Sequence, residues 1–186
     1  MKIIVFFLEE PSAREMLKGI LPSILPETVD PRYIVFQGKQ HMEKQLKKRI
    51  RGWCLPNTEF VVMRDQDFAD CHDVKEKLVK LCRDAGRPDT LVRIACHELE
   101  SFYLGDLAAV EKGLHVINLA CKQNSAKFRD PDHLVSPDKE LERITAKKYQ
   151  KVSGSRAIGP HLQLNDNRSK SFMALITGIK QLVDID

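Results

Sequence analysis

Four short apolar runs, separated by segments of helical periodicity, occupy the first hundred residues and constrain the fold most strongly. Residues 2–8 (KIIVFFL) form a continuous apolar run of strand length, which is typical of a strand buried on both faces of a parallel sheet. Further strands are predicted at residues 33–36, 59–63 and 90–96, with helices between the four strands at residues 12–21, 39–51 and 70–85. This order predicts an α/β fold with a mostly parallel sheet and helices on both of its faces.

The C-terminal part of the chain has a different pattern, and we predict a helical and loop-rich extension packed on the same domain. Short helices are predicted at residues 99–104 and 106–112, and an amphipathic helix at residues 171–183. Between them, residues 123–170 are basic and carry loop signals at Ser153-Gly154-Ser155 and Gly159-Pro160. The predicted division is an α/β core at residues 1–105 and a basic extension at residues 106–186.

The composition excludes collagen-like, disordered, small disulfide-rich secreted and transmembrane proteins. Of the 186 residues, 42% are hydrophobic, which is enough to bury a core without disulfides or a structural metal. No apolar run approaches the roughly 20 residues that a membrane helix needs, and the apolar start lacks the basic leader of a secretory signal. The five cysteines are an odd number without a close pair, so we expect reduced thiols and a cytoplasmic protein.

Acidic side chains follow three of the predicted strands: Glu9 and Glu10, Asp65 and Asp67, and Glu98 and Glu100. The carboxyl ends of parallel strands meet at one edge of a sheet, where open α/β sheets bind their ligands. Mg²⁺ prefers oxygen ligands and usually takes only one or two carboxylates. Two such ions roughly 4 Å apart can activate water and stabilise the leaving oxygen in phosphodiester cleavage. The pattern therefore predicts a site for Mg²⁺ or Mn²⁺ at this edge.

The spacing of Asp65 and Asp67 carries part of this prediction. In an extended segment side chains repeat every two residues, so both carboxylates would point to the same place. An alternative stays open, because acidic residues after strands are also common helix caps and solvated loop residues. In that case Asp67 or Asp70 would cap the third helix.

The second predicted helix is densely basic. Its basic residues oppose a single acid, Glu43, and they are Lys39, Lys44, Lys47, Lys48, Arg49 and Arg51. A nucleic-acid backbone would bind such a face, and salt would weaken the binding. Arg168 is a further candidate for this contact. The alternative is an ordinary exposed helix face.

Phosphoryl transfer also needs positive charge opposite the metal. Lys151 and Arg156 are the preferred candidates for this role, ahead of Lys127 and Arg168. The serines and backbone amides of the SGSR segment could also hold a phosphate. The alternative is a solvated basic loop.

No other cofactor is predicted. The sequence contains neither a P-loop, G-x-x-x-x-G-K-[ST], nor a Rossmann G-x-G-x-x-G, so any ATP must be hydrolysed by another chain. Cys71-His72 and Cys96-His97 lack the spacing of structural zinc ligands.

Several segments resemble those of a known family. FLEEPSAREML, from Phe7, resembles the glutamate motif after the first strand of Toprim domains, and RDQD, from Arg64, resembles their D-x-D motif. HELESFYLGD, from His97, is similar to the glutamate-plus-aromatic segment of Toprim-like nucleases related to the OLD (overcoming lysogenization defect) family and RloB. Together with SGSR, these segments resemble a bacterial Toprim-like family whose genes often lie beside a gene for an ABC-type ATPase.

The resemblance implies roles for individual residues. Glu9 matches the Toprim glutamate, which is a metal ligand or a general acid/base. Glu10 stands where many Toprim domains have glycine, and it becomes a second candidate ligand or proton acceptor. The two aspartates of RDQD match the metal-binding pair, and Glu100 matches the glutamate ahead of the aromatic. If its segment is helical, Glu98 diverges from Glu100. The OLD-type resemblance also implies a lysine at the site.

Residues and resemblance together imply a Toprim-like nuclease that depends on Mg²⁺ or Mn²⁺, with Glu9, Asp65, Asp67 and Glu100 as metal ligands. The resemblance further implies an effector that works with a separate ATPase chain in bacterial anti-phage defence. Two alternatives stay open: a non-catalytic module that docks on a partner ATPase, and phosphate-ester chemistry on a small molecule. The sequence does not distinguish DNA from RNA, endonuclease from exonuclease, or monomer from homo-oligomer, and it predicts no membrane partner.

Overall fold

The computed structural model describes residues 1–183, and four strands in these residues form one parallel sheet. The strands are β1 (Lys2–Leu8), β2 (Val29–Val35), β3 (Thr58–Asp65) and β4 (Leu91–Ala95). Their order across the sheet is β2-β1-β3-β4. The predicted α/β fold with a parallel sheet is therefore confirmed.

Helices cover the sheet and form most of the C-terminal part. They are α1 (Pro11–Ile20), α2 (Lys39–Arg51), α3 (Cys71–Asp84), α4 (Glu100–Leu104), α5 (Leu107–Leu114), α6 (Pro137–Ile144), α7 (Lys151–Ile158) and α8 (Lys170–Leu182). Short 3₁₀ turns occur at Leu21–Ser23, Ala120–Lys122, Pro131–His133 and Gly159–His161.

Two hydrophobic cores lie on opposite faces of the sheet, because alternate side chains of a strand point to opposite sides. Ile4, Phe6 and Leu8 of β1 pack on one side with residues of α1, α4, α5, α7 and α8. Phe7 of β1 packs on the other side with residues of α2 and α3. Both phenyl rings of β1 are fully buried, and burial of each contributes about 1.5–3 kcal/mol. Strand β1 therefore has both faces covered, as its continuous apolar run predicts.

The strand boundaries differ from the predicted ones in two informative places. β2 begins at Val29 rather than residue 33, because it is an edge strand that tolerates Pro31 and a partly exposed surface. β3 continues two residues beyond the predicted end and terminates at Asp65. The first aspartate of the RDQD segment is thus held by the sheet itself.

The prediction of a loop at Ser153-Gly154-Ser155 is wrong, because these residues lie inside α7. A Cβ at Gly154 would come within 2.5 Å of the Tyr149 ring, so glycine permits close packing here rather than a turn. The Gly154 amide donates to the Gln150 carbonyl, and the buried Ser155 hydroxyl donates to the Lys151 carbonyl. These groups serve the helix and are not free to hold a phosphate, as a loop would have allowed.

The C-terminal helices pack directly on the sheet region. α7 contacts α1, and α8 contacts β4. The core on the α1 side of the sheet contains residues from both parts of the chain, such as Phe6 and Phe172. No helix within the described part of the chain combines the length and the apolar character of a membrane span.

Candidate metal centre

Two carboxylates meet where neighbouring strands β1 and β3 end. Glu9 follows the last residue of β1, and Asp65 is the last residue of β3. The backbone amide of Asp65 donates a hydrogen bond to Glu9 Oε2 over 3.3 Å. Burial raises the pKa of the Asp65 carboxyl well above its ordinary value, and the charges of Glu100, Glu9 and Glu10 raise it further. The predicted convergence of side chains distant in the chain is therefore present for these acids.

Glu100 is the most buried acid of this group. It is the first residue of α4 and only 1% exposed. The Tyr149 hydroxyl donates a 2.7 Å hydrogen bond to Glu100 Oε1, whereas Oε2 has no hydrogen-bond partner among residues 1–183. Burial raises the pKa of the carboxyl. A buried carboxylate oxygen without a partner is costly unless a proton or a cation satisfies it.

Glu9 is buried between opposing charges. Burial raises its pKa, the Arg64 guanidinium acts against that rise, and the carboxylates of Asp67 and Glu10 add to it. Arg64 Nε lies 3.6 Å from Glu9 Oε2, but its Nη1 makes the closer contact, 2.6 Å to Glu43 Oε1. The positive charge of Arg64 therefore partly offsets the negative charge of Glu9, although its closer ion pair is with Glu43 of α2. Arg64 is not among the predicted site residues, although an arginine at the end of an apolar strand is a usable signal.

Lys151 brings a positive charge to the same cluster. It is the first residue of α7, and its Nζ lies 3.6 Å from Glu10 Oε2. Burial disfavours the charged ammonium, but the carboxylates of Glu100, Glu10 and Asp65 outweigh burial and raise the pKa of Lys151. Lys151 is thus a fully charged lysine facing the candidate ligands.

Asp67 does not share the direction of Asp65 in the way that an extended segment would impose. Its φ is +57°, so the chain leaves the extended conformation at this residue. The carboxylate of Asp67 accepts a 2.8 Å hydrogen bond from Lys39 Nζ, yet it is near enough to raise the pKa of Glu9. The assumption of an extended D-x-D segment is therefore wrong, because a left-handed residue breaks the two-residue repeat. The third helix is capped by Asp70, which accepts from the amide of His72.

Glu98 lies near Glu100, but its carboxylate bonds the backbone of α6. Its Oε2 accepts a 3.0 Å hydrogen bond from the backbone amide of Asp138 in α6. Burial is the main cause that raises the pKa of Glu98 to about 7. Glu98 precedes α4 whereas Glu100 begins it, so the two side chains have different environments.

Other predicted basic residues lie outside the carboxylate cluster. Arg156 Nε bonds the buried Glu15 of α1 over 2.7 Å. Lys127 bonds Glu140, and Arg168 makes a long contact with Asn124. Neither Arg156 nor Lys127 is brought to the candidate ligands.

The basic face of α2 begins at the site and runs away from it. Lys39 bonds Asp67 at the start of the helix, whereas Lys47 lies 3.7 Å from Asp84. Lys44 and Lys48 are exposed, and Arg51 donates to the backbone carbonyl of Asp84. The structure therefore joins this face to the carboxylate cluster through Lys39.

Carboxylate oxygens are the donors that Mg²⁺ and Mn²⁺ accept, and the unpartnered Glu100 oxygen is the observation that fits such an ion. A cleft of about 10 Å³, close to the space for one water-sized species, is lined by Glu9, Glu10, Arg64 and Asp65. No three histidine, cysteine or acidic side chains in residues 1–183 form a ready metal cage. These carboxylates would therefore leave part of the coordination shell of such an ion to water, which Mg²⁺ usually retains.

Fold and site together define an α/β protein that gathers acidic side chains and a lysine at the carboxyl edge of a parallel sheet. Two solved structures share the fold. The C-terminal region of the Burkholderia pseudomallei OLD protein has a TM-score of 0.60 and 14% identity, over 97% of this chain and 98% of that one. The C-terminal region of the Xanthomonas campestris pv. campestris OLD protein has a TM-score of 0.54 and 12% identity, over 97% and 95%.

The chain belongs to a family of domains of unknown function (DUF4276), whose family model matches residues 8–180. A search of curated proteins found no match. The similarity to the two solved structures confirms the predicted relation to OLD proteins at the level of the fold.

Proposed function

We propose that this protein is a Toprim-like nuclease that cleaves nucleic-acid phosphodiester bonds with Mg²⁺ or Mn²⁺. The observation that carries the proposal is the buried Glu100 oxygen without a partner, in a cluster with Glu9 and Asp65 and opposite Lys151. Clustered acids with raised pKa values are typical of functional sites. The fold shared with the C-terminal regions of OLD proteins supports the same class.

Each side chain has a role in this proposal. Glu9, Asp65 and Glu100 would hold the ion, and Asp67, whose carboxylate bonds Lys39, would be the fourth ligand. When bound, the ion supplies Lewis-acid stabilisation of the phosphate oxygens.

The remaining roles concern protons and charge. Lys151 neutralises negative charge that develops on the phosphate. Glu9 or Glu10 accepts the proton of the attacking water, since both carboxylates line the cleft.

The polymer is proposed to lie along α2. Lys39 connects the acidic cluster to this helix, and the exposed lysines that follow it supply further positive charge. Such contacts give sequence-independent affinity that falls with salt. Arg168 is a further proposed contact with the strand.

We further propose a separate ATPase chain as the partner and anti-phage defence as the setting. Both follow from the family resemblance of the motifs. They also agree with the lack of any P-loop in this sequence.

The test is cleavage of plasmid, single-stranded DNA and tRNA by purified protein with Mn²⁺ or Mg²⁺. We expect Asp65→Asn and Glu100→Gln to abolish cleavage, because each removes a ligand charge while keeping the side-chain shape. Glu27→Gln is the matched control, since Glu27 is an exposed acid after α1. Metal-dependent cleavage that survives in both site variants would refute the proposed centre.

A second function, a non-catalytic module that docks on a partner ATPase, is favoured by one observation. The described residues contain no ready metal cage. A native-state ligand raises thermal stability, so millimolar Mn²⁺ should raise the melting temperature if the centre is real. No shift with either ion, together with a shift on adding a partner ATPase chain, would favour the docking module.

A further inference from the structure

Phe68 presents an aromatic ring to solvent one residue after Asp67, a candidate metal ligand. It lies in the loop of residues 66–70 between β3 and α3, directly after Asp67, and it is 86% exposed. Its Cα is at most about 11 Å from that of Asp65, because only three peptide links separate them. Single exposed apolar residues are common on protein surfaces, so exposure alone identifies no function.

The loop that carries Phe68 is held in place by hydrogen bonds to the end of β4 and to the segment after it. The Gln66 amide donates to the Ala95 carbonyl over 2.9 Å, and the Asp67 amide donates to the His97 carbonyl over 2.7 Å. The Gln66 side chain accepts from the His97 amide and donates to the Ala69 carbonyl. The ring is therefore displayed by an ordered loop, and the chain forgoes the favourable burial of a phenyl group here.

Positive side chains flank this loop on two sides. Lys39 of α2 bonds Asp67, the neighbour of Phe68. Beyond Gln66, a cavity of about 640 Å³ is lined by the exposed Lys75 of α3 and by Lys170 of α8. Asp130 and Asp132 line the same cavity, and Asp130 bonds Lys170 over 3.0 Å, so Lys75 supplies the positive charge on this side. An exposed aromatic ring on a loop with neighbouring lysines is a combination that binds single-stranded nucleic acid, because bases stack on the ring while the backbone meets the charges.

We propose that Phe68 is a base-stacking residue that positions the strand at the metal centre, so that the substrate carries an unpaired base next to the scissile bond. This inference rests on the proposed nuclease function. Bases inside a duplex are stacked on each other and offer no free face, so single strands, loops and frayed ends are the expected substrate class.

The experiment compares cleavage of a single-stranded oligonucleotide by the wild type, Phe68→Ala and Phe68→Trp with Mn²⁺. We expect Phe68→Ala to lose activity on the order of 10-fold and Phe68→Trp to keep it. Ile117→Ala is the matched control, since Ile117 is 78% exposed in the loop after α5. All variants change exposed side chains, and thermal unfolding verifies that they fold.

A substrate with one abasic nucleotide, moved along the strand, supplies the second readout. At the stacked position the wild type should lose about as much activity as Phe68→Ala loses on the intact strand. Phe68→Ala should lose nothing further there, because the same contact is already absent. Equal abasic losses in both proteins, or wild-type rates in Phe68→Ala, would overturn the role of Phe68.

Asp65→Asn separates the two proposals. Cleavage that is lost in Asp65→Asn but intact in Phe68→Ala overturns only the stacking role. If the wild type cleaves no nucleic acid with either ion, the nuclease proposal falls, and the stacking inference falls with it.

Discussion

Glu100 has the most demanding environment of any acid in the candidate site. It is buried, one carboxylate oxygen bonds Tyr149, and the other has no partner in the described chain. Metal ligands commonly depend on such an outer hydrogen bond, which orients the carboxylate. Tyr149 lies 49 positions from Glu100 and has no sequence signal of its own, so only the structure relates the two.

Tyr149→Phe should weaken Mn²⁺ binding or cleavage by roughly 10- to 100-fold, because the Glu100 carboxylate loses its orienting hydrogen bond. The free energy of unfolding should also fall by roughly 1–2 kcal/mol. Titration with Mn²⁺ and steady-state kinetics measure the first effect, and urea denaturation measures the second. Tyr33→Phe is the matched control, and equal behaviour of both variants would contradict the role of Tyr149.

Mutation of Lys151 should affect cleavage, whereas mutation of Arg156 should affect stability. Lys151→Met should lower cleavage with little effect on stability, since its contact with Glu10 is a surface ion pair. Arg156→Met should keep the turnover of folded protein but reduce the free energy of unfolding by roughly 1–2 kcal/mol, because the buried Glu15 loses its principal partner.

The pH dependence of stability checks the Arg156 assignment. The hydrogen bond from Arg156 is the largest cause that lowers the pKa of Glu15 below its ordinary 4.5. Its stabilisation is therefore complete above pH 4.5 and is lost as the pH falls through the lower folded-state pKa. A difference between wild type and Arg156→Met that persists unchanged in acid would contradict this assignment.

At the scale of elements, α2 combines a buried stripe with a basic surface. Met42, Leu46 and Ile50 pack into the core, which leaves Lys44 and Lys48 exposed. Replacing a charge on this face changes the potential without disturbing the packing. The helix therefore allows electrostatics to be tested apart from folding.

The double variant Lys44→Gln/Lys48→Gln should bind nucleic acid more weakly, by a similar factor for every sequence. The slope of log affinity against log salt should fall by about one to two, because each phosphate contact contributes about 0.7 to 0.9. Fluorescence anisotropy over a salt series measures the slope. The control Lys112→Gln/Lys122→Gln removes the same charge from α5 and the turn after it. Equal slopes for the two double variants would argue against α2 as the binding face.

For the molecule as a whole, the acidic cluster makes the free energy of unfolding depend on pH. Burial raises the pKa of Glu98 from 4.5 to about 7, and it raises the pKa values of Glu9, Asp65 and Glu100 in the same direction. Between pH 4.5 and about 7 the folded protein thus holds a proton on Glu98 that the unfolded chain has released. The contribution of Glu98 to the free energy of unfolding falls as the pH rises through this window, and the other three acids act in the same direction.

Metal should reverse this loss, since a cation binds the deprotonated carboxylates. We expect millimolar Mn²⁺ to raise the melting temperature more at pH 8 than at pH 5.5. Thermal denaturation with and without the ion measures the effect, and Glu100→Gln should reduce it. A shift of the same size at both pH values would show that Mn²⁺ binds elsewhere.

Local pattern determined much of the architecture. The apolar run of β1, the periodicity of α2 and the acids after the strands are properties of short segments, and the parallel topology follows from their order. Glu9 and Asp65 could be placed together for that reason, because strand ends in a parallel sheet meet. In the C-terminal part, the glycine and serines of residues 153–155 predict a loop where α7 lies, because Gly154 reflects close packing on Tyr149 rather than a turn.

The chain sequence alone thus determined the sheet, its covering helices and the acids at its edge, since hydrophobic periodicity and strand order act over short distances. Tertiary structure alone decided that Lys151 rather than Arg156 faces those acids, that Tyr149 bonds Glu100, and that Asp67 is left-handed and bonds Lys39. These pairings depend on how α7 packs against α1 and how the loops close, and such long-range contacts leave no periodic trace in the sequence.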